Sequence, residues 1–160
     1  MPPTTSTSLD NVRIELFFKD TAELKDRVSF LSSKGITGFN LVNTNTRDTL
    51  GDWVDAICQV APNASVCAHY SAKYNKSRRV NGAFDKFEEF LQEMDQKPGN
   101  SKEVLLISGS GDRPQFNSLS GLQQLSGEVE TPIAVAFNPF FPSSENYKEE
   151  KSRLQAKLAT

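Results

Sequence analysis

The 160-residue sequence predicts an α/β protein built on a parallel sheet. Short apolar runs alternate five times with segments whose apolar residues recur at helical spacing, which is typical of βα units joined by right-handed crossovers. The length suits a single domain with its own core. Two architectures satisfy the pattern: a small doubly wound parallel sheet, or the first five units of a (β/α)8 TIM barrel, which usually needs about 250 residues.

Local signals define the first two units. Strands are predicted at residues 12–18 and 38–42. A helix is predicted at 21–34, because Asp20 is a suitable N-cap and the apolar residues that follow fall on one helical face. The second helix is expected to begin near residues 45–46.

The other three units follow the same alternation. Their strands are predicted at residues 65–70, 103–108 and 133–137. The third helix is expected to turn Phe84, Phe87, Leu91 and Met94 inward. A short helix follows the fourth strand, and the last helix begins near residue 144. Because residues 104–107 are all apolar, the fourth strand is expected to be covered on both faces.

Composition excludes several classes of function. A net charge of -2 does not indicate bulk electrostatic binding to nucleic acid or membranes, and no apolar stretch is long enough to span a bilayer. Residues 1–11 are predicted to be a disordered lead and not a signal peptide. Cys58 and Cys67 are expected to be buried free thiols, and the single histidine, His69, argues against a zinc site. We therefore expect a cytoplasmic protein.

Candidate functional residues gather where the strands end, since ligands of parallel sheets bind at the carboxyl ends of strands. The candidates are Glu15, Asn43, Thr44, Asn45, His69, Ser71, Asp112, Asn138 and the loop 139–142. Glu15 interrupts an apolar strand, so it either faces solvent or is placed for proton transfer. The loop 109–112 is either a turn or a weak phosphate cradle, and the basic stretch 73–79 is either a solvated face or a phosphate contact.

Several short motifs occur in a defined order along nearly the whole chain. They are RIELFFKDT at 13–21, TRDT at 46–49, AHYS at 68–71, KSR at 76–78, GDRP at 111–114, AVAFNPFFP at 134–142 and the helix 150–158. This set resembles the N-terminal part of the methylenetetrahydrofolate reductase family, whose fold is an FAD-dependent (β/α)8 barrel. The resemblance favours a partial barrel over the doubly wound sheet, with the chain ending before the sixth strand.

The resemblance also implies an activity and a set of roles. The family reduces 5,10-methylenetetrahydrofolate to 5-methyltetrahydrofolate, with FAD as cofactor and NAD(P)H as electron donor. Glu15 would protonate the folate substrate, and Asp112 would lie near both flavin and folate. The positions implied to bind the cofactor are His69, Ser71, Ser110, Gly111, Asp112, Asn138, Glu150 and Lys157.

The sequence departs from the family at several of these positions. Val42 replaces a threonine, Ser110 an arginine, Asn138 a tyrosine and Phe141 a histidine. Three βα units are also missing, so we expect a homo-oligomer or a missing C-terminal half to complete the site. Two alternatives remain open: a non-catalytic interaction or regulatory remnant of the barrel, and a doubly wound domain that binds a phosphorylated ligand.

Overall fold

The computed structural model describes residues 12–79, 81–97, 101–108, 117–125, 129–138, 140 and 143–160. Within them the protein is an α/β fold with a five-stranded, all-parallel sheet and five helices. The strands are β1 (Arg13–Leu16), β2 (Gly38–Val42), β3 (Ser65–Ser71), β4 (Ser101–Ile107) and β5 (Ile133–Val135). The helices are α1 (Thr21–Ser32), α2 (Leu50–Val60), α3 (Gly82–Gln96), α4 (Ser118–Gln124) and α5 (Ser144–Leu158). The strand order is β1-β2-β3-β4-β5, so strands adjacent in sequence are adjacent in the sheet.

One face of the sheet carries the hydrophobic core. Side chains alternate between the two faces of a strand, and the fully buried Phe39, Leu41, Val66, Val104 and Leu106 share one face. The apolar faces of helices α1, α2 and α3 pack against this face and complete the same hydrophobic cluster. Their fully buried residues are Leu24, Val28, Val54, Ile57, Phe87, Leu91 and Met94. Burying each such side chain contributes about 1.5–3 kcal/mol, so this layer holds the sheet and helices together.

Helix α1 begins where its sequence predicts. The Asp20 side chain accepts a hydrogen bond from the backbone N–H of Glu23 at 2.9 Å, and the Glu23 carboxylate accepts one from the backbone N–H of Lys19 at 2.8 Å. Gly35 has a φ of +84°, the left-handed conformation that ends helices at low cost for glycine. The helix ends at Ser32, two residues before the predicted 34, because residues 33–35 form the closing turn.

Helix α2 begins later than the sequence suggests. The structure places its first residue at Leu50, with Thr49 as N-cap, and not at residues 45–46. The carboxylate of Asp48 accepts hydrogen bonds from the backbone N–H groups of Thr44 and Asn45 at 2.5 and 2.9 Å. These bonds fold the segment into a loop, which delays the helix by one turn.

The prediction that the fourth strand is covered on both faces is wrong. Val104 and Leu106 are fully buried in the core, but Leu105 and Ile107 on the opposite face are only half-buried. Continuous apolar sequence therefore does not require a helix on each side here. The edge strands are also shorter than predicted: β1 ends at Leu16, and β5 has three residues, each edge pairing with a single neighbour.

Helix α5 packs against α4 but contributes no fully buried residue. Tyr147 packs edge-on against Phe137 with ring centroids 6.3 Å apart, whereas Leu158 is 72 % exposed. This helix is therefore attached through α4 and through contacts at the end of the sheet, at Phe137 and Ala136.

Candidate functional site

The face of the sheet opposite the core, here called the second face, carries a row of polar side chains. Glu15, Asn40 and Cys67 are register partners on β1, β2 and β3, and Glu103 on β4 continues the row. Glu15 is exposed, and no described residue forms a hydrogen bond or salt bridge with its carboxylate. The strand position that the sequence singled out therefore points away from the core.

Arg13 spans this face at the amino-terminal end of the strands. Its guanidinium bonds to Glu103 Oε2 at 2.5 Å and to Ser65 Oγ at 3.0 Å. It crosses β2 over Gly38, where a Cβ would approach the Arg13 side chain to 2.9 Å. Glycine thus leaves room for the arginine, which reaches Ser65 two strands away and Glu103 three strands away.

His69 lies one row further along the second face and is half-buried. Burial lowers the pKa of its imidazole; the carboxylates of Glu15 and Glu103 oppose this effect, and Arg13 adds to it. His69 therefore favours its neutral form, which can accept or donate one hydrogen bond. The Oδ1 atom of Asn40 on the same face is buried without a hydrogen-bond partner.

A cleft of about 830 Å³, here called the rim cleft, lies at the carboxyl ends of the strands. Four of the predicted cofactor positions line it together: Ser71, Asn138, Glu150 and Lys157. They come from the end of β3, the segment after β5 and two positions on α5. The structure thus brings together residues that are up to 86 positions apart in the sequence, from 71 to 157.

Among the described residues, three cationic side chains line the rim cleft: Lys73, Arg153 and Lys157. Lys157 Nζ donates a hydrogen bond to the Ala136 carbonyl at 3.1 Å, which ties α5 to the end of the sheet. The Glu150 side chain is 13 % exposed and lies 3.8 Å from the guanidinium of Arg153. The cleft therefore offers positive charge together with a largely buried carboxylate.

Sequence reasoning did not single out Lys73 or Arg153 individually. Lys73 belongs to the basic stretch 73–79, for which the sequence leaves two interpretations open, a solvated face or a phosphate contact. Because Lys73 lines the rim cleft, its position favours a phosphate contact for this residue. Arg153 was part of the motif match on α5 without a role. Only the packing of α5 beside the strand ends reveals it.

The rest of the predicted site is placed only in part. Ser110, Gly111 and Asp112 lie outside the described residues, as does Phe141. Glu15 and His69 are on the second face and do not line the rim cleft. Asn43 is 5 % exposed, and its amide bonds to the Asn45 carbonyl and to Asp48, while the Asn75 amide donates to its Oδ1 at 2.8 Å. Asn43 therefore holds two loops together.

Both cysteine side chains lie within the described part of the chain. Cys67 is buried, and burial, aided by the charge on Glu103, raises its pKa to about 11. Cys58 is likewise not in a disulfide but is only half-buried, which is less than predicted. Among the described residues, no group of three or more His, Cys, Asp or Glu side chains has the arrangement of a metal site.

No helix in the described part of the chain has the length and apolar character needed to cross a membrane. Comparison of the chain with protein-family profiles, with curated proteins and with solved structures gives no match.

Proposed function

We propose that the chain is an FAD-binding module of the methylenetetrahydrofolate reductase type, with its cofactor in the rim cleft. The observation that carries the proposal is the meeting of Ser71, Asn138, Glu150 and Lys157 in one cleft. These positions were selected as cofactor contacts by motif resemblance alone, from separate segments of the sequence. Their convergence is what a cofactor site requires.

The order of the strands supports the barrel form of this proposal. A doubly wound sheet reverses its strand order at a switch point, and that point forms its ligand crevice. The order β1-β2-β3-β4-β5 contains no reversal. It is the order of successive units in a (β/α)8 barrel, which also binds ligands at the carboxyl ends of its strands.

The residues of the rim cleft fit the chemical groups of FAD. Its volume of about 830 Å³ lies within the range of about 300–1,000 Å³ that is usual for ligand pockets. Lys73, Arg153 and Lys157 supply positive charge for a diphosphate. The Glu150 carboxylate and the Ser71 hydroxyl provide acceptors for ribityl or ribose hydroxyls.

Bound FAD would supply hydride transfer between NAD(P)H and the folate substrate. The chain's own contribution would be to hold the cofactor at the rim and to deliver a proton from the second face, where Glu15 lies. Because Glu15 is exposed, we propose that reduction of 5,10-methylenetetrahydrofolate requires a second copy or further βα units to cover this face. Neither Cys58 nor Cys67 forms a disulfide, which suits the reducing cytoplasm.

The binding step is tested by titrating the protein with FAD and following flavin fluorescence. Lys157→Met is expected to weaken binding roughly tenfold, since it removes a charge-assisted contact. Lys148→Met is the matched control, because Lys148 is exposed on the same helix and does not line the rim cleft. A protein that takes up no FAD, or equal losses in both variants, would contradict the proposal.

The catalytic step has its own test. Glu15→Gln is expected to leave FAD affinity unchanged and to abolish turnover of 5,10-methylenetetrahydrofolate with NADH or NADPH, provided that the unsubstituted protein turns over. Wild-type protein that binds FAD but shows no turnover would favour the second candidate, a non-catalytic binding module. The exposure of Glu15 is the observation that favours this candidate.

A parallel titration with ADP tests whether the rim cleft recognises a phosphorylated ligand that has no flavin. Lys73, Arg153 and Lys157 would attract other phosphorylated compounds as well. ADP that binds as tightly as FAD would show that the phosphates alone are recognised. FAD that binds at least tenfold more tightly than ADP would show that the flavin portion contributes.

A further inference from the structure

A second cleft, here called the helix cleft, lies on the core side of the sheet between the start of α2 and the middle of α3. It has a volume of about 420 Å³. Its walls carry four carboxylates, those of Asp48, Asp52, Glu89 and Glu93, and one ammonium, that of Lys86. The helix cleft is distinct from the rim cleft, although Asn43 lines both.

Three of these five charged groups are already engaged. The Asp48 carboxylate accepts the hydrogen bonds of its own loop. Glu93 forms a salt bridge with Lys97 at 2.8 Å, and Lys86 donates to the Lys76 carbonyl at 2.8 Å. No described residue bonds to the carboxylates of Asp52 or Glu89. One uncommitted carboxylate therefore stands on each wall, Asp52 on α2 and Glu89 on α3.

A buried hydroxyl provides independent evidence for a ligand. Tyr70 lines the helix cleft and is only 3 % exposed, with its ring packed against Phe87 and Phe90 at centroid distances of 5.1 Å each. Its hydroxyl has no hydrogen-bond partner. Leaving such a group unpaired costs about 1–3 kcal/mol, and phenylalanine would fill the same space without that cost. The hydroxyl thus lacks a structural purpose in the described contacts.

We propose that the helix cleft binds a small aliphatic primary amine. A primary ammonium group has three N–H donors, and the cleft offers three uncommitted oxygen acceptors, on Asp52, Glu89 and Tyr70. The excess of carboxylates favours a cation over an anion. The side chains of Leu50 and Phe90 supply an apolar surface for the carbon chain.

The test is a titration of the full chain with putrescine at constant ionic strength, followed by calorimetry and by amide NMR shifts. Saturable binding is expected, with shifts at Gly51 and Tyr70, which line the cleft. The neutral analogue 1,4-butanediol should not bind. Tetramethylammonium, which carries charge but no N–H donor, should bind at least roughly fivefold more weakly. No saturation, or equal binding of tetramethylammonium, would overturn the proposal.

Variants identify the acceptors. Tyr70→Phe and Glu89→Gln are each expected to weaken putrescine binding roughly tenfold, the usual effect of removing one hydrogen bond to a charged group. Glu88→Gln is the matched control, because Glu88 lies on the same helix outside the cleft. Because Tyr70→Phe removes only a buried, unpaired hydroxyl, its melting temperature should equal or exceed that of the unsubstituted protein. Equal weakening by Glu88→Gln, or unchanged binding in Tyr70→Phe, would refute the assignment.

Discussion

Replacing Asp95 with alanine is expected to destabilise the protein by about 2–3 kcal/mol. Asp95 lies on α3, and its Oδ1 atom accepts hydrogen bonds from the backbone N–H and the hydroxyl of Thr131, at 2.7 and 2.5 Å. A longer bond of 3.3 Å joins Oδ2 to the backbone N–H of Glu130. Thr131 is 6 % exposed and precedes the three-residue strand β5. One carboxylate thus fixes the entry to an edge strand.

The magnitude follows from the two short bonds. A hydrogen bond to a charged group contributes about 1.5–3 kcal/mol, which bounds the gross loss at about 3–6 kcal/mol. Asp95 is itself only half-buried, so solvent screening reduces the electrostatic part. The Thr131 hydroxyl and N–H, left buried and unpaired, keep the loss well above that of a surface substitution.

The same contact predicts a dependence on pH. Burial by itself would raise the pKa of Asp95, but the bonds from Thr131 and Glu130 outweigh it and lower the pKa below the ordinary value. A group with a lowered folded-state pKa stabilises the fold above its unfolded pKa and loses this contribution as pH falls through the folded value. The stability difference between the unsubstituted protein and Asp95→Asn should therefore be largest near neutral pH and shrink below about pH 4.

The assay is urea unfolding at pH 7 and at steps down to pH 3. A double-mutant cycle of Asp95→Ala with Thr131→Val isolates the side-chain pair, for which we expect a coupling of about 1 kcal/mol or more. Asp26→Ala is the control, because Asp26 is exposed on α1 and has no bond to a described residue. A loss below about 0.5 kcal/mol in Asp95→Ala, or a coupling near zero, would refute the reasoning.

Three further outcomes are expected. Asp48→Ala should cost about 2 kcal/mol in urea unfolding, because it leaves the backbone N–H groups of the β2–α2 loop without their acceptor. Leu41→Ala should cost about 2–5 kcal/mol, since Leu41 is fully buried, whereas Leu158→Ala should change stability by less than about 0.5 kcal/mol. In the native protein at pH 7.5, iodoacetamide should modify the half-buried Cys58 before Cys67, because burial raises the Cys67 pKa to about 11; equal rates, measured by peptide mass spectrometry, would contradict this order.

Features with a local cause could be predicted from the sequence. The strand Gly38–Val42 was predicted with its observed bounds. The N-cap at Asp20 and the stop at Gly35 depend on a side chain or backbone angle within a few residues. The inward stripe of α3 followed from helical periodicity, and all of its predicted members are buried.

Two kinds of feature could not be predicted: those that depend on a choice among local partners, and those with a distant cause. The start of α2 is of the first kind, because the Asp48 carboxylate binds backbone N–H groups three and four residues earlier, and spacing alone does not reveal that choice. How far Leu105 is buried depends on what packs against the second face. The apolar run 104–107 would be the same with or without such packing, so it does not reveal the outcome. Lys73 and Arg153 line the same cleft only because α5 packs beside the strand ends. Since α5 has no fully buried residue, its sequence pattern does not predict where it packs.

In the proposed function, the rim cleft and the second face carry two separate tasks, cofactor binding and proton donation. Cofactor contacts require charge and shape at the strand ends, and Lys157 and Glu150 on α5 can provide these without any further strand. Proton donation near neutral pH requires a carboxylic acid removed from water, and Glu15 stands exposed on the uncovered side of β1. Binding can therefore persist where catalysis fails. A partner that covers the second face should restore turnover while leaving FAD affinity unchanged, and a partner that alters only FAD affinity would show that the two tasks are not separated in this fold.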